Sequence, residues 1–211
     1  MNQGAAPRLA VGGICKLRVI ELAERQELPV AAGSGLFRVL SGVLQTSVIA
    51  EDGRRWISAF HLEGELIWLD RASVRSQIAE ALCPSSLAIV DGSMMQALLS
   101  DDDAISAAAR GWLLRSYSVS HRWGFLLARS NAVEKLSFFL IDMMNRLDGR
   151  SDFSLLMSRA DIGDHLGLTS ETVTRTFTHL QRSGCIAVRG KEVSIVDRPR
   201  LLFHAGDIVS T

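Results

Sequence analysis

Three polar side chains near the C-terminal end of the chain have the types and spacing needed to read DNA bases. Glu171, Thr174 and Arg175 stand at positions i, i+3 and i+4, so on a helix they share one face. Arginine can donate two hydrogen bonds to guanine O6 and N7, glutamate can accept one from cytosine N4, and threonine can contact the thymine methyl group. These residues, with Ser170 beside them, are expected to begin a recognition helix that enters the major groove.

A helix-turn-helix motif is predicted to position this face. Ser158 can cap a first short helix, and Asp161 can complete a shortened capping box with it. Gly167 can adopt the left-handed conformation that ends this helix. Thr169 then caps the second helix, which ends at Gly184. The apolar residues predicted to face inward or to anchor the turn are Ile162, Leu166, Leu168, Val173, Phe177 and Leu180.

A basic hairpin is predicted after the second helix. Apolar and polar residues alternate on both sides of Arg189-Gly190-Lys191, which is typical of the wing of a winged helix. Arg189 and Lys191 could then contact DNA phosphates. Between Thr169 and Lys191 four basic residues stand against Glu171, a net charge of +3, whereas the whole chain has a net charge of zero. The alternative interpretation is a helix pair with only a structural role.

The preceding part of the chain has the pattern of a small β-barrel or sandwich followed by a long helix. Short apolar runs separated by glycine-containing corners predict strands. These strands are predicted at Leu36–Leu40, Val43–Ile49, Arg55–Phe60, Gln77–Ala81 and Ser86–Val90, with a hairpin turn at Glu51–Arg54. No proline or turn cluster interrupts the run from Ala104 to about Leu147, although Gly111, Gly124 and Ser130-Asn131 are weak points.

Two apolar stripes on the long helix predict that it packs on both sides. The first stripe contains Leu113, Tyr117, Ser120, Gly124 and Leu127, and the second contains Trp112, Ser116, Val119, Trp123 and Leu126. One side would face the barrel and the other a twin helix in a second copy of the chain. The alternative is a single helix buried within its own domain.

Composition excludes several classes of protein. The chain has 211 residues, of which 47% are hydrophobic and 22% charged, a globular rather than a disordered composition. Cys15, Cys83 and Cys185 are scattered and offer neither a disulfide framework nor a metal-ligand set.

With no signal peptide and no membrane-length apolar run, a cytoplasmic protein is expected. No nucleophile elbow, phosphate loop or catalytic-carboxylate context predicts an enzyme.

The run Met157–Arg175 resembles the helix-turn-helix motif of the Crp/Fnr superfamily of bacterial regulators, most closely its FixK and Fnr branches. The resemblance extends over nearly the whole chain. It implies an α+β fold with a β-barrel sensor-like domain (1–99) that resembles a cyclic-nucleotide-binding domain, a dimerisation helix and hinge (100–148) and a winged helix-turn-helix (149–211). It also implies a homodimer that binds TTGA…TCAA-type inverted repeats in double-stranded DNA and contacts RNA polymerase. Thr174 replaces the serine usual in those branches and keeps the hydroxyl.

The resemblance leaves two interpretations of an effector site. In the first, Glu65, Arg75 and Ser76 hold the ribose and phosphate of a cyclic nucleotide, and Ser120 and His121 meet its purine. Such a protein would be a regulator switched by cAMP or cGMP, or a nucleotide-binding module whose helix-turn-helix contacts proteins. In the second, which we favour, Gly64-Glu65 is an earlier structural turn of the family. Trp68 and Leu69 then replace the nucleotide-binding Gly-Glu pair, Trp68 crowds the pocket, Arg75 is a solvated surface residue, and no cofactor is required.

Other sensing chemistries have weaker support in the sequence. Only Cys15 lies in the N-terminal region, where the iron–sulfur regulators of the Fnr branch need several cysteines. A haem could use His61 or His121 as a ligand, although a lone histidine is more often an ordinary surface or core residue. Cys185 is either a redox-sensitive thiol in a basic setting or a small buried residue of the wing, and we favour the second interpretation.

Overall fold

The computed structural model describes residues 18–29, 35–69, 77–90 and 104–206. The chain divides at Ser116–Tyr117, within its longest helix, into two compact units. Each unit has its own core. The finer subdivision into residues 1–99, 100–148 and 149–211 stays a prediction.

The N-terminal unit contains two antiparallel β-sheets. The strands are β1 (Val19–Leu22), β2 (Gly35–Ser41), β3 (Leu44–Ile49), β4 (Arg55–His61), β5 (Leu66–Leu69), β6 (Gln77–Ala81) and β7 (Ser85–Val90). One sheet has the order β1-β7-β2-β5 and the other β4-β3-β6. The predicted hairpin turn connects β3 to β4, where Asp52 accepts a hydrogen bond from the Arg54 backbone N–H at 3.1 Å.

An apolar core lies between the two sheets. Phe37 and Val39 from β2, Ile67 from β5 and Leu87 from β7 are buried together with Leu44 from β3. In the part of the chain that the structure describes, no pairing joins the sheets into a closed barrel. The predicted small β domain is therefore confirmed as an open, jelly-roll-like sandwich.

The long helical run is two helices, α1 (Ala104–Arg129) and α2 (Ala132–Arg146). The break falls at Ser130-Asn131, one of the weak points expected from the sequence. The Asn131 side-chain oxygen accepts hydrogen bonds from the backbone N–H groups of Val133 at 2.9 Å and Glu134 at 3.1 Å. The Glu134 carboxylate accepts one from the Asn131 N–H at 2.9 Å, which completes a capping box. A new helix therefore starts here because its first N–H groups are satisfied locally.

The C-terminal unit is a winged helix built on α2. Its further elements are β8 (Asp152–Ser154), α3 (Arg159–Leu166), α4 (Ser170–Arg182), β9 (Ile186–Arg189), β10 (Glu192–Ile195) and α5 (Arg198–Ala205). The three strands form a sheet in the order β8-β10-β9. Helix α2 packs against α4 and α5. Most of its residues are buried, among them Leu136, Phe139 and Leu140. Within the described residues, no helix combines the length and apolarity needed to cross a membrane.

Candidate nucleic-acid interface

The first helix of the motif is fixed by a reciprocal cap, as the sequence predicts. The Ser158 hydroxyl oxygen accepts a hydrogen bond from the Asp161 N–H at 3.0 Å. The Asp161 carboxylate in turn accepts bonds from the Ser158 N–H at 3.0 Å and from its O–H at 2.6 Å. Ile162 and Leu166, on the helix itself, are fully buried. Helix α3 therefore has a defined start and a defined inner face.

The turn between α3 and α4 depends on two glycines. Gly167 has φ 63° and ψ 42°, the left-handed conformation expected at the end of α3. The Leu168 N–H donates a hydrogen bond to the Gly163 carbonyl at 2.9 Å. A Cβ atom on Gly163 would lie 2.5 Å from the Leu168 carbonyl oxygen. Sequence reasoning did not identify Gly163, although a glycine inside a helix is a signal of close approach because it otherwise weakens the helix.

We expect Gly163→Ala to destabilise the C-terminal unit by about 1–3 kcal/mol, since the added methyl group must push the turn away from α3. Urea denaturation followed by circular dichroism measures this change. Gln181→Ala is the control, because Gln181 is exposed on helix α4 of the same unit. That control should leave stability almost unchanged. Equal stability of the two variants would contradict the steric role of Gly163.

Helix α4 is held against the motif by an apolar side and by one cation–π contact. Val173, Phe177 and Leu180 are buried, as predicted from their spacing. The guanidinium carbon of Arg159, on α3, lies 3.4 Å from the centre of the Phe177 ring. Burial lowers the pKa of the half-buried Arg159 guanidinium from its usual value. This contact ties the two helices together, and no local sequence pattern indicates it.

The predicted base-reading residues lie together on the outer face of α4. The Thr169 hydroxyl oxygen accepts a hydrogen bond from the Thr172 N–H at 3.1 Å and caps the helix. Ser170, Glu171, Thr174 and Arg175 are all exposed. Glu171 Oε1 and Arg175 Nη1 are 3.6 Å apart, with the side chains 75% and 72% exposed. Such an exposed pair contributes little to stability, so both groups can exchange partners for base edges.

The basic hairpin is confirmed as a wing. Glu192 on β10 pairs with Arg189 on β9, so Gly190 and Lys191 form the tip. The Lys191 carbonyl accepts a hydrogen bond from the N–H of Leu155, the residue that follows β8, at 2.8 Å. This bond holds the tip of the hairpin against the end of β8. The side chains of Arg189 and Lys191 are exposed. Two cations therefore project from a rigid backbone.

The structure describes Glu65, Ser120 and His121 of the predicted effector residues, and the nucleotide site itself stays a prediction. Glu65 follows the turn between β4 and β5, and its carboxylate accepts a hydrogen bond from the Leu62 N–H at 3.0 Å. This geometry fits a structural turn rather than a ribose ligand and supports the second interpretation of Gly64-Glu65. Arg75 and Ser76 lie outside the described residues. Ser120 and His121 are exposed on α1, and the His121 ring lies near Tyr117.

Trp68 is exposed on β5, and the expectation that it crowds the nucleotide pocket stays a prediction. It lies on the face of β5 opposite the buried Ile67 and Leu69, and it is 47% exposed. Its neighbours Ile67 and Leu69 point into the shared core because side chains alternate along a strand. The indole is therefore on the outer side of the sheet.

The other candidate sensing residues have structural partners. His61 Nε2 lies 3.0 Å from the Thr46 hydroxyl inside the sandwich. Cys185 is fully buried, and its sulfur accepts a hydrogen bond from the Ser183 hydroxyl at 3.2 Å. This burial favours the interpretation of Cys185 as a core residue of the wing. Among the described side chains, no group of three histidines, cysteines or carboxylates is arranged to hold a metal ion.

Comparisons with known proteins agree with this geometry. Residues 134–202 match the Crp-like helix-turn-helix domain family. The chain is 32% identical to Electron transport regulator A of Shewanella oneidensis over 178 residues, which cover 82% of this chain and 71% of the relative. It is also 32% identical to the nitrogen fixation regulation protein FixK of Rhizobium meliloti over 166 residues, covering 79% and 75%.

A solved structure is similar over almost its full length. FixK2 from Bradyrhizobium japonicum aligns with a TM-score of 0.75 and 28% sequence identity, covering 90% of this chain and 97% of that one. The similarity therefore includes both the sandwich and the winged helix. This chain belongs to the Crp/Fnr family of DNA-binding transcription regulators and is of the FixK/Fnr type.

Proposed function

We propose that this regulator binds an inverted-repeat DNA site as a homodimer, with one α4 helix in the major groove of each half-site. The observation that carries the proposal is the exposed set of Glu171, Thr174 and Arg175 at the start of a helix whose other side is buried. A capped, rigid helix with bidentate and acceptor groups at its N-terminal half is suited to direct base readout. The site expected for the FixK/Fnr type has the form TTGA…TCAA.

The outer face of α1 supports two-fold assembly. Leu114, Tyr117 and Phe125 are 68%, 71% and 53% exposed, and with His121 they follow one face of the helix at spacings of three and four residues. Large exposed apolar residues in a row are unfavourable in water. A second copy of α1 would cover them and set two α4 helices about one DNA turn apart.

The wing supports a separate, sequence-independent contribution to binding. Arg189 and Lys191 are exposed on a fixed hairpin and can reach phosphates. We expect Lys191→Ala to weaken binding to specific and random duplexes by the same factor and to lower the salt slope of log Kd by about 1 per contact. Fluorescence anisotropy measures Kd for the specific and the random duplex at several salt concentrations from about 50 to about 200 mM. A loss confined to the specific duplex would contradict a phosphate role.

A protein partner is part of the proposal. Relatives are named as transcriptional activators, among them Anr of Pseudomonas aeruginosa, which is 32% identical over 177 residues. We propose RNA polymerase as the protein partner of the DNA-bound dimer. We further propose that no cyclic nucleotide is needed for DNA binding, because the Glu65 carboxylate is bonded within its own turn.

Selection of bound sequences from a random duplex pool tests the proposal directly. We expect an inverted repeat with two equivalent half-sites, recovered equally with and without cAMP or cGMP. A selected sequence without two-fold symmetry would contradict the homodimer. Selection that succeeds only with a cyclic nucleotide present would contradict effector-independent binding.

A further inference from the structure

The recognition helix carries four threonines at alternate positions, and three of them turn their hydroxyl groups onto the helix itself. Thr174 Oγ1 donates a hydrogen bond to the Ser170 carbonyl at 2.8 Å, and Thr178 Oγ1 donates one to the Thr174 carbonyl at 3.1 Å. Thr176 does the same with the Thr172 carbonyl at 2.8 Å. Each of these hydroxyls has used its only hydrogen on the backbone.

Two of the three lie on the base-reading face. Thr174 and Thr178 are exposed, and with Glu171 they occupy positions i, i+3 and i+7, which share one face of a helix. Thr176 points the other way and is buried. Thr178 therefore extends the face formed by Glu171, Thr174 and Arg175 by one helical turn.

The back-bonded hydroxyls determine what this face offers to DNA. The χ1 angle of a threonine is restricted by branching at Cβ, and the hydrogen bond to the preceding turn fixes it further. With the Oγ1 hydrogen committed to the helix, the hydroxyl cannot donate to a base, and the methyl group is the apolar part of each side chain that can meet a partner. In the major groove the matching apolar feature is the C5 methyl group of thymine.

We propose that Thr174 and Thr178 select thymine through contacts between methyl groups, and that Thr178 is a specificity-determining residue in addition to Glu171, Thr174 and Arg175. The inference rests on the proposed function, because it requires α4 to lie in the major groove. Each half-site then contains thymines at the positions that face these two residues. The hydroxyl groups stabilise the side-chain rotamers and donate no hydrogen bond to the bases.

Deoxyuridine substitution tests the proposal, because deoxyuridine pairs like thymine but lacks the C5 methyl group. The duplex is the one selected from the random pool. Deoxyuridine replaces thymine at one position at a time, and each replacement is made in both half-sites. Kd is measured by fluorescence anisotropy for the full-length chain. We expect one or two positions at which the replacement weakens binding by about fourfold per half-site, the value of one buried methyl group.

Variants assign each position to a residue. Thr174→Ser removes the methyl group and should bind thymine and deoxyuridine equally at its position, whereas Thr174→Val keeps the methyl group and should still discriminate. Thr178→Ser and Thr178→Val should behave in the same way at a second position. Thr176→Ser is the matched control on the buried side of the helix and should keep the full discrimination. Circular dichroism confirms that each variant is folded.

Three outcomes would overturn the inference. Discrimination that survives in the serine variants and disappears in the valine variants would assign the readout to the hydroxyl groups. Specific binding that is insensitive to deoxyuridine at every position would remove the methyl contact while leaving the proposed function intact. Failure of the unmodified chain to prefer the selected duplex over a scrambled one would reject the proposed function, and the inference with it.

Discussion

Arg175→Ala is expected to weaken binding to the selected duplex by about 1–3 kcal/mol, roughly 5- to 150-fold in Kd, and to relax base preference at one symmetric pair of positions. Arg175 is 72% exposed, and Glu171, 3.6 Å away, is its closest charged neighbour on α4. Loss of its side chain removes a bidentate donor without disturbing the buried side of the helix. Competition binding against duplexes with all four bases at each position measures both effects.

Two further variants separate geometry from charge. Arg175→Lys keeps the positive charge but lacks the planar pair of donors, so we expect it to lose most of the base preference. Arg150→Ala removes an exposed arginine that lies outside the helix-turn-helix and should leave preference unchanged. An Arg175→Ala loss of the same size on the selected and a random duplex would show that Arg175 contacts only the DNA backbone.

Tyr117→Glu is expected to convert the proposed dimer into monomers and to weaken binding to the selected repeat by about 100-fold or more. Tyr117 is 71% exposed at the centre of the apolar face of α1. A carboxylate there would be buried against its own copy across a two-fold axis, which is strongly unfavourable. A monomer binds only one half-site. It therefore loses the gain in affinity, about 100- to 10,000-fold, that a dimer obtains by binding both half-sites at once.

Sedimentation velocity and binding to the intact repeat measure the two effects in the same sample. Phe203→Glu provides the matched control, because Phe203 is an aromatic residue that is 83% exposed on a different helix, α5. That variant should remain dimeric. A dimeric Tyr117→Glu variant with unchanged affinity would place the two-fold contact elsewhere on the chain.

Features that depend on a few neighbouring residues were predictable from the sequence. The Ser158–Asp161 cap, the left-handed Gly167 and the buried residues of α4 all follow from hydrogen bonds or spacing within one or two helical turns. The start of α2 was readable in the same way, because Asn131 and Glu134 have the spacing of a capping box. Marking Ser130-Asn131 only as a weak point, and not as a helix start, underestimated this signal.

Features that depend on contacts between elements were not predictable. The cation–π contact of Arg159 with Phe177 and the close approach of Gly163 to Leu168 exist only once α3 and α4 are packed. The sequence also left the role of Gly64-Glu65 open. A glycine followed by a carboxylate is compatible with a turn or a ribose ligand, and the bond from the Leu62 N–H to the Glu65 carboxylate favours the turn.

The spacing between the half-sites offers the most direct test of the claim that the dimer holds its two α4 helices at a fixed separation. The measurement compares the Kd of the chain for the selected repeat with its Kd for the same repeat after insertion of about five base pairs, half a DNA turn, at the centre. We expect the insertion to place the half-sites on opposite sides of the duplex and to reduce affinity to that of a single half-site. Equal affinity for the two duplexes would contradict a fixed two-fold arrangement of recognition helices.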